Sequence, residues 1–160
     1  FSQFYIINWF ARNKNVLKDT DQQVKYTRNE ENIHALVGIK IINTIREECP
    51  ELFDEELEDR ILHEAEEALK AESQIVDWMV NGYTEDGLNA DLLKGFIKNR
   101  IISSLDQIGF KAPFEVDNDA LEATMWFEEE LMGNNMADFF HTRPTEYSKK
   151  NQSFDEEDLF

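Results

Sequence analysis

The sequence predicts an all-α fold, and three observations lead there. Apolar residues recur every three or four positions over long stretches. Glycine (6) and proline (3) are scarce and fall mainly between those stretches, against the many turns that a β architecture needs. Capping residues stand where the periodic stretches begin, and helix-ending residues stand where they stop.

The first stretch, 1 to about 18, carries Phe1, Phe4, Tyr5, Ile7, Trp9 and Phe10, followed by Arg12, Lys14 and Lys18. It reads as a buried helix with a basic last turn, which suits the helix dipole. Asp19-Thr20-Asp21 is placed to cap a second helix, from about 21 to 48. Its stripe is Val24, Thr27, Glu31, His34, Gly38, Ile41 and Ile45, so Glu31 and His34 are expected to share a buried face with aliphatic residues. Cys49-Pro50 breaks that helix. Asp54 opens a third, with Leu57, Ile61, Ala65, Leu69, Val76 and Met79, closed by Asn81-Gly82. Asn89 caps a fourth, with Leu92, Leu93, Phe96, Ile97, Ile101 and Leu105, closed by Gly109. A shorter helical piece follows, with Leu121, Met125, Trp126 and Leu131.

The character changes after Gly133-Asn134-Asn135, which divides the chain into a helical domain (1–133) and a tail (134–160). Residues 141–160 are polar and aperiodic, a composition that predicts disorder, and they end in the acidic segment Phe154-Asp155-Glu156-Glu157-Asp158-Leu159-Phe160.

The net charge of −18 repels phosphate backbones, so no nucleic-acid binding is expected. No apolar run reaches the roughly 18–20 residues of a membrane span, so no membrane partner is expected. The single cysteine, Cys49, leaves no intrachain disulfide framework and suits a reducing, cytoplasmic setting. An aromatic-rich stretch at the amino terminus, without an initiator Met, suggests a segment of something longer or a subunit whose first helix docks on another chain.

Glu31-Asn32-Ile33-His34 is a Glu-x-x-His pair. Residues three apart share a helix face, and a carboxylate and an imidazole so placed can reach one metal ion. The alternative is a solvated Glu beside a packed His. A dinuclear centre of this kind takes about six protein ligands, and no second Glu-x-x-His is present, so the remaining ligands are expected from another segment.

The ordered motifs resemble the small, radical-generating subunit of class I ribonucleotide reductases, in its carboxy-terminal half. Arg28-Asn29-Glu30-Glu31-Asn32-Ile33-His34 resembles the family's Arg-Asp-Glu-x-x-His segment. Gly87-Leu88-Asn89-Ala90-Asp91-Leu92-Leu93 resembles its Gly-Leu-Asn-x-Asp-x-Leu segment. The Asn99-Arg100 pair, Gly109-Phe110, Pro113-Phe114, Trp126 and the acidic end closing on Phe160 follow in the family's order.

The resemblance implies part of a ferritin-like helical bundle. It implies a dinuclear metal centre (Fe/Fe, Mn/Fe or Mn/Mn) that Glu31 and His34 help to hold. Glu30 stands at the family's Asp position, on the radical-transfer route, and Tyr147 on the tail would relay the radical. Phe1, Phe4 and Tyr5 would wall the radical pocket. Phe154, Leu159 and Phe160 would anchor the tail on the large subunit, where ribonucleotides become deoxyribonucleotides. Implied partners are that large subunit, an upstream half carrying the other ligands, and a second copy in a homodimer. The family's preceding Glu ligand would lie about one helical turn before Phe1. The sequence departs from the pattern at Glu30, which is longer than Asp by a methylene, and at Asn29, where the family has Arg. Two other readings are a ferritin-like metal oxidase uncoupled from nucleotide reduction, and an acidic helical adaptor without chemistry.

Overall fold

The computed structural model describes residues 2–136, and the side chains of 2–130. Five helices run α1 (Ser2–Lys14), α2 (Lys18–Glu48), α3 (Glu55–Val80), α4 (Ala90–Gln107) and α5 (Asn118–Met136), with a short 3-10 turn at Pro50–Leu52. There is no β-strand among the described residues, so the all-α expectation is met.

Side chains fix most of the helix starts. Asp54 accepts from the Leu57 amide at 2.8 Å, Asn89 from the Leu92 amide at 2.9 Å, and Asp117 from the Ala120 amide at 3.0 Å. Each satisfies an amide that the first helical turn leaves without a partner. Left-handed backbone closes α3 at Asn81 (φ 44°) and follows α4 at Gly109 (φ 76°).

The first corner differs from expectation. α1 ends at Lys14, and the turn is made by Asn15 (φ 57°) and Leu17 (φ 58°), both left-handed. α2 then starts at Lys18 with no side-chain cap. Asp21, expected to help cap it, lies inside the helix, where its carboxylate takes a hydrogen bond from Asn8 and an ion pair from Lys25 at 2.8 Å. The negative charges of Asp19 and Asp21 still favour that end of the helix dipole.

α4 is the central element, packing on α3 and on α5, while α1 lies along α2. The core joins Tyr5 and Trp9 of α1, Val76 and Val80 of α3, Leu88, Leu93, Phe96 and Ile97 of and before α4, and Phe127 of α5. Burying each large side chain contributes about 1.5–3 kcal/mol. Gly95 permits the close approach of α4 to α5. A Cβ there would sit 2.6 Å from the Ala120 Cβ and 2.7 Å from Asp117 Oδ2. One turn on, the Asn99 amide donates to the Asp117 carbonyl (2.7 Å) and accepts from the Asp117 amide (2.8 Å). Arg100 adds a 2.9 Å ion pair to Glu128.

α2 enters this core only at its start. Asp21, Val24 and Arg28 are its buried residues, and beyond Arg28 none is buried. Ile33, Leu36, Val37 and Ile41 are each more than half exposed. Of the stripe expected to be covered, Val24 is buried, but Thr27, Glu31, His34, Ile41 and Ile45 are exposed within this chain. α3 likewise presents Trp78, 80% exposed, to solvent. α5 continues through Gly133-Asn134-Asn135 to Met136, past the composition change that sequence reading used as a boundary.

Candidate metal-ligand site on α2

Glu31 and His34 lie one turn apart on α2, with Glu31 Oε2 3.5 Å from His34 Nδ1. Their side chains are 60% and 72% exposed. Gly38, a turn further on, has nothing within 4 Å of where a Cβ would stand, so the space beside the imidazole is open. Glu30 is also exposed. A carboxylate oxygen and an imidazole nitrogen suit a first-row transition metal, and the i, i+3 spacing brings both within reach of one ion. The donors present therefore fit one part of a metal centre. Among the described residues no group of three or more His, Cys, Asp or Glu gathers to complete it. The expectation that both groups are buried within this chain is not met. On the same helix face Ile41 and Ile45 are 53% and 40% exposed, while Ile33 and Leu36 stand on the far side of α2.

The pair is held from the amino-terminal side. Arg28, three residues before Glu31, is 4% exposed, and its guanidinium lies 3.6 Å from the Phe127 ring centroid. One nitrogen donates to Asn8 Oδ1 at 3.0 Å, and the other to the Phe127 carbonyl at 2.9 Å. Burial pulls the Arg28 pKa down to about 10, against the opposing pull of Glu128 and Glu130. The sequence motif gave Arg28 no role of its own. The available signal was its place on the apolar stripe, between Val24 and Glu31, where a solvated arginine would not stand.

Tyr5 is fully buried, with its ring centroid 5.2–5.4 Å from those of Phe96, Trp126 and Phe127. Its hydroxyl donates to the Gly87 carbonyl at 2.8 Å, and Trp9 Nε1 donates to the Asp86 carbonyl at 3.2 Å. Two buried aromatics thus peg the turn in which Glu85 and Leu88 exchange backbone hydrogen bonds. Desolvation raises the Tyr5 pKa. Phe4 packs half-buried against the core. Phe1, Tyr147, Phe154, Leu159 and Phe160 lie outside the described residues. No helix among the described residues is long and apolar enough to cross a membrane.

The sequence profile of a family described as "Ribonucleotide reductase, small chain" matches residues 1–132. A protein named ribonucleoside-diphosphate reductase subunit beta from Chlamydia pneumoniae is 30% identical over 148 residues, covering 92% of this chain and 41% of its own length. One of the same name from Aquifex aeolicus (strain VF5) is 32% identical over 123 residues, covering 76% of this chain and 17% of its own. The chain thus spans less than half the length of these relatives.

Proposed function

Because the chain belongs to the ribonucleotide reductase small-chain family, we propose that it is the carboxy-terminal part of a radical-generating small subunit whose metal centre it shares with an upstream segment. The observation that carries this reading is the Glu31–His34 pair, on a helix several of whose aliphatic residues this chain leaves exposed. Exposed aliphatic residues gathered along one helix favour a covering partner. An upstream half bringing further carboxylates and a histidine would bury the aliphatic residues and complete the ligand set together. The fold is then part of a ferritin-like bundle.

Glu31 and His34 would hold one side of a dinuclear centre, Fe/Fe, Mn/Fe or Mn/Mn. When bound, that centre would supply the one-electron oxidising power needed to start ribonucleotide reduction on a large subunit. Glu30, next to the ligand on α2, would accept a hydrogen bond on the transfer route, and Tyr147 would carry the route onward along the tail. Phe1, Phe4 and Tyr5 would keep water from the radical pocket. Phe154, Leu159 and Phe160 would fill apolar sites on the large subunit, while Asp155–Asp158 steer the approach. The whole subunit would act in the cytoplasm as a homodimer.

The test is reconstitution. This chain is mixed with an upstream segment ending at the residue before Phe1, with ferrous iron and oxygen. Metal content is measured by elemental analysis, and the oxidised species by electron paramagnetic resonance. Stoichiometric metal in the pair, lost on His34→Ala, is expected. A reconstituted pair that binds no metal overturns the proposal. The exposure of Glu31 and His34 favours one rival, a helical adaptor without chemistry. For that rival His34→Ala leaves metal content unchanged.

A further inference from the structure

We infer that Arg28 is the positioning residue for the ligand pair, fixing the rotation and axial register of α2 and tying both to α5. This rests on the reading of Glu31 and His34 as ligands. Arg28 is the last buried residue of α2 and the anchor nearest the pair; the next ties of that helix lie well beyond His34, where Asn43 and Arg46 donate to the carbonyls of Gln107, Ile108 and Gly109. Successive residues turn by about 100°, so Glu31 points only about 60° away from Arg28, one turn along. The direction taken by the Arg28 side chain therefore sets the direction of the carboxylate.

The Arg28 side chain has little freedom. One arm of its fork is held by Asn8 of α1 and the other by the main-chain carbonyl of Phe127 on α5, and its plane rests on the Phe127 ring. Asn8 is itself tied to Asp21, two turns back on α2. Lys25 of α2 and Arg12 of α1 both reach Glu130 of α5, each at 3.9 Å. Three helices thus meet on one guanidinium. A lysine at 28 keeps the charge, but it cannot satisfy two acceptors in one plane while stacking on a ring. Groups that orient metal ligands typically change metal affinity by about 10–100-fold when removed.

The experiment uses the small subunit reconstituted from this chain and its upstream segment, titrated with manganese(II) alone. Free manganese is followed by its paramagnetic resonance signal, and folding by circular dichroism melts. Arg28→Lys is expected to weaken manganese binding about tenfold, and Arg28→Met by more. Asp54→Ala, which removes the side-chain cap of α3, is expected to lower the melting temperature without changing manganese affinity. Should Arg28→Met not assemble, Arg28→Lys decides alone, because it keeps the charge and most of the apolar stem. Arg28 variants that melt earlier but bind manganese like wild type overturn the inference and leave the ligand reading standing. A wild-type subunit that binds no manganese removes the ligand reading, and the inference falls with it.

Discussion

The two stretches of α2 behave as different surfaces on one rod. From Lys18 to Arg28 the helix faces α1 and α5, with Asp21, Val24 and Arg28 buried and both the Asp21 carboxylate and the two terminal nitrogens of Arg28 engaged. From Glu31 to Glu48 the same helix carries most of its aliphatic residues, yet Ile33, Leu36, Val37 and Ile41 stand largely in solvent. The difference is what lies opposite. The first stretch is held by α1 and α5, whereas the second is tied to the rest of the chain near its end, where Asn43 and Arg46 donate to the carbonyls of Gln107, Ile108 and Gly109. Substitutions should therefore separate stability from assembly according to where they fall along one helix.

The largest effect is expected from Phe127→Ala, which removes a fully buried ring and the surface on which Arg28 rests. A loss of about 3–5 kcal/mol in urea unfolding is expected, and a loss under about 1 kcal/mol would deny that the first stretch is the anchored one. Next comes Gly95→Ala. Its Cβ would meet the Ala120 Cβ at 2.6 Å, forcing α4 and α5 apart, and about 1–3 kcal/mol should be lost in the same measurement.

Tyr5→Phe is expected to cost about 1 kcal/mol through the hydrogen bond to the Gly87 carbonyl. It also gives a pH signature. Burial raises the Tyr5 pKa above its ordinary value of about 10, so the folded state holds the proton longer than the unfolded one. That contribution is whole below pH 10 and is lost as pH climbs through the folded pKa. Wild type should therefore lose stability more steeply above pH 10 than Tyr5→Phe, and parallel curves would contradict the assignment. The smallest effects on the chain are expected from Leu36→Gln and Ile41→Gln, within about 0.5 kcal/mol each. Both should nonetheless weaken association with an upstream segment, measured by titration calorimetry. If they destabilise the chain itself by several kcal/mol, the two stretches are not distinct.

Much of the fold was legible because its signals are local. Asp54, Asn81, Asn89 and Gly109 mark helix ends through their own side chains or backbone freedom, and each does so in the structure. That Glu31 and His34 stand side by side on one helix face follows from their spacing, but what they hold does not. The α1–α2 corner was not, because Leu17 carries no preference for left-handed backbone and Asp21 was drawn away by Asn8, thirteen residues earlier. Arg28 was missed for the same reason, since its partners Asn8 and Phe127 are 20 and 99 residues away. Periodicity said which residues of α2 are apolar, and it carried no information on whether this chain or another covers them.

The corner between α1 and α2 has a consequence of its own. Holding an ordinary L-residue in left-handed backbone costs about 1–2 kcal/mol, and Leu17 does so with its side chain half in water. A glycine at 17 would relieve that strain without entering any packed surface. It would also widen the range of angles at which the two helices can meet. Thermal resistance and angular definition are thus set against each other at one solvent-facing residue.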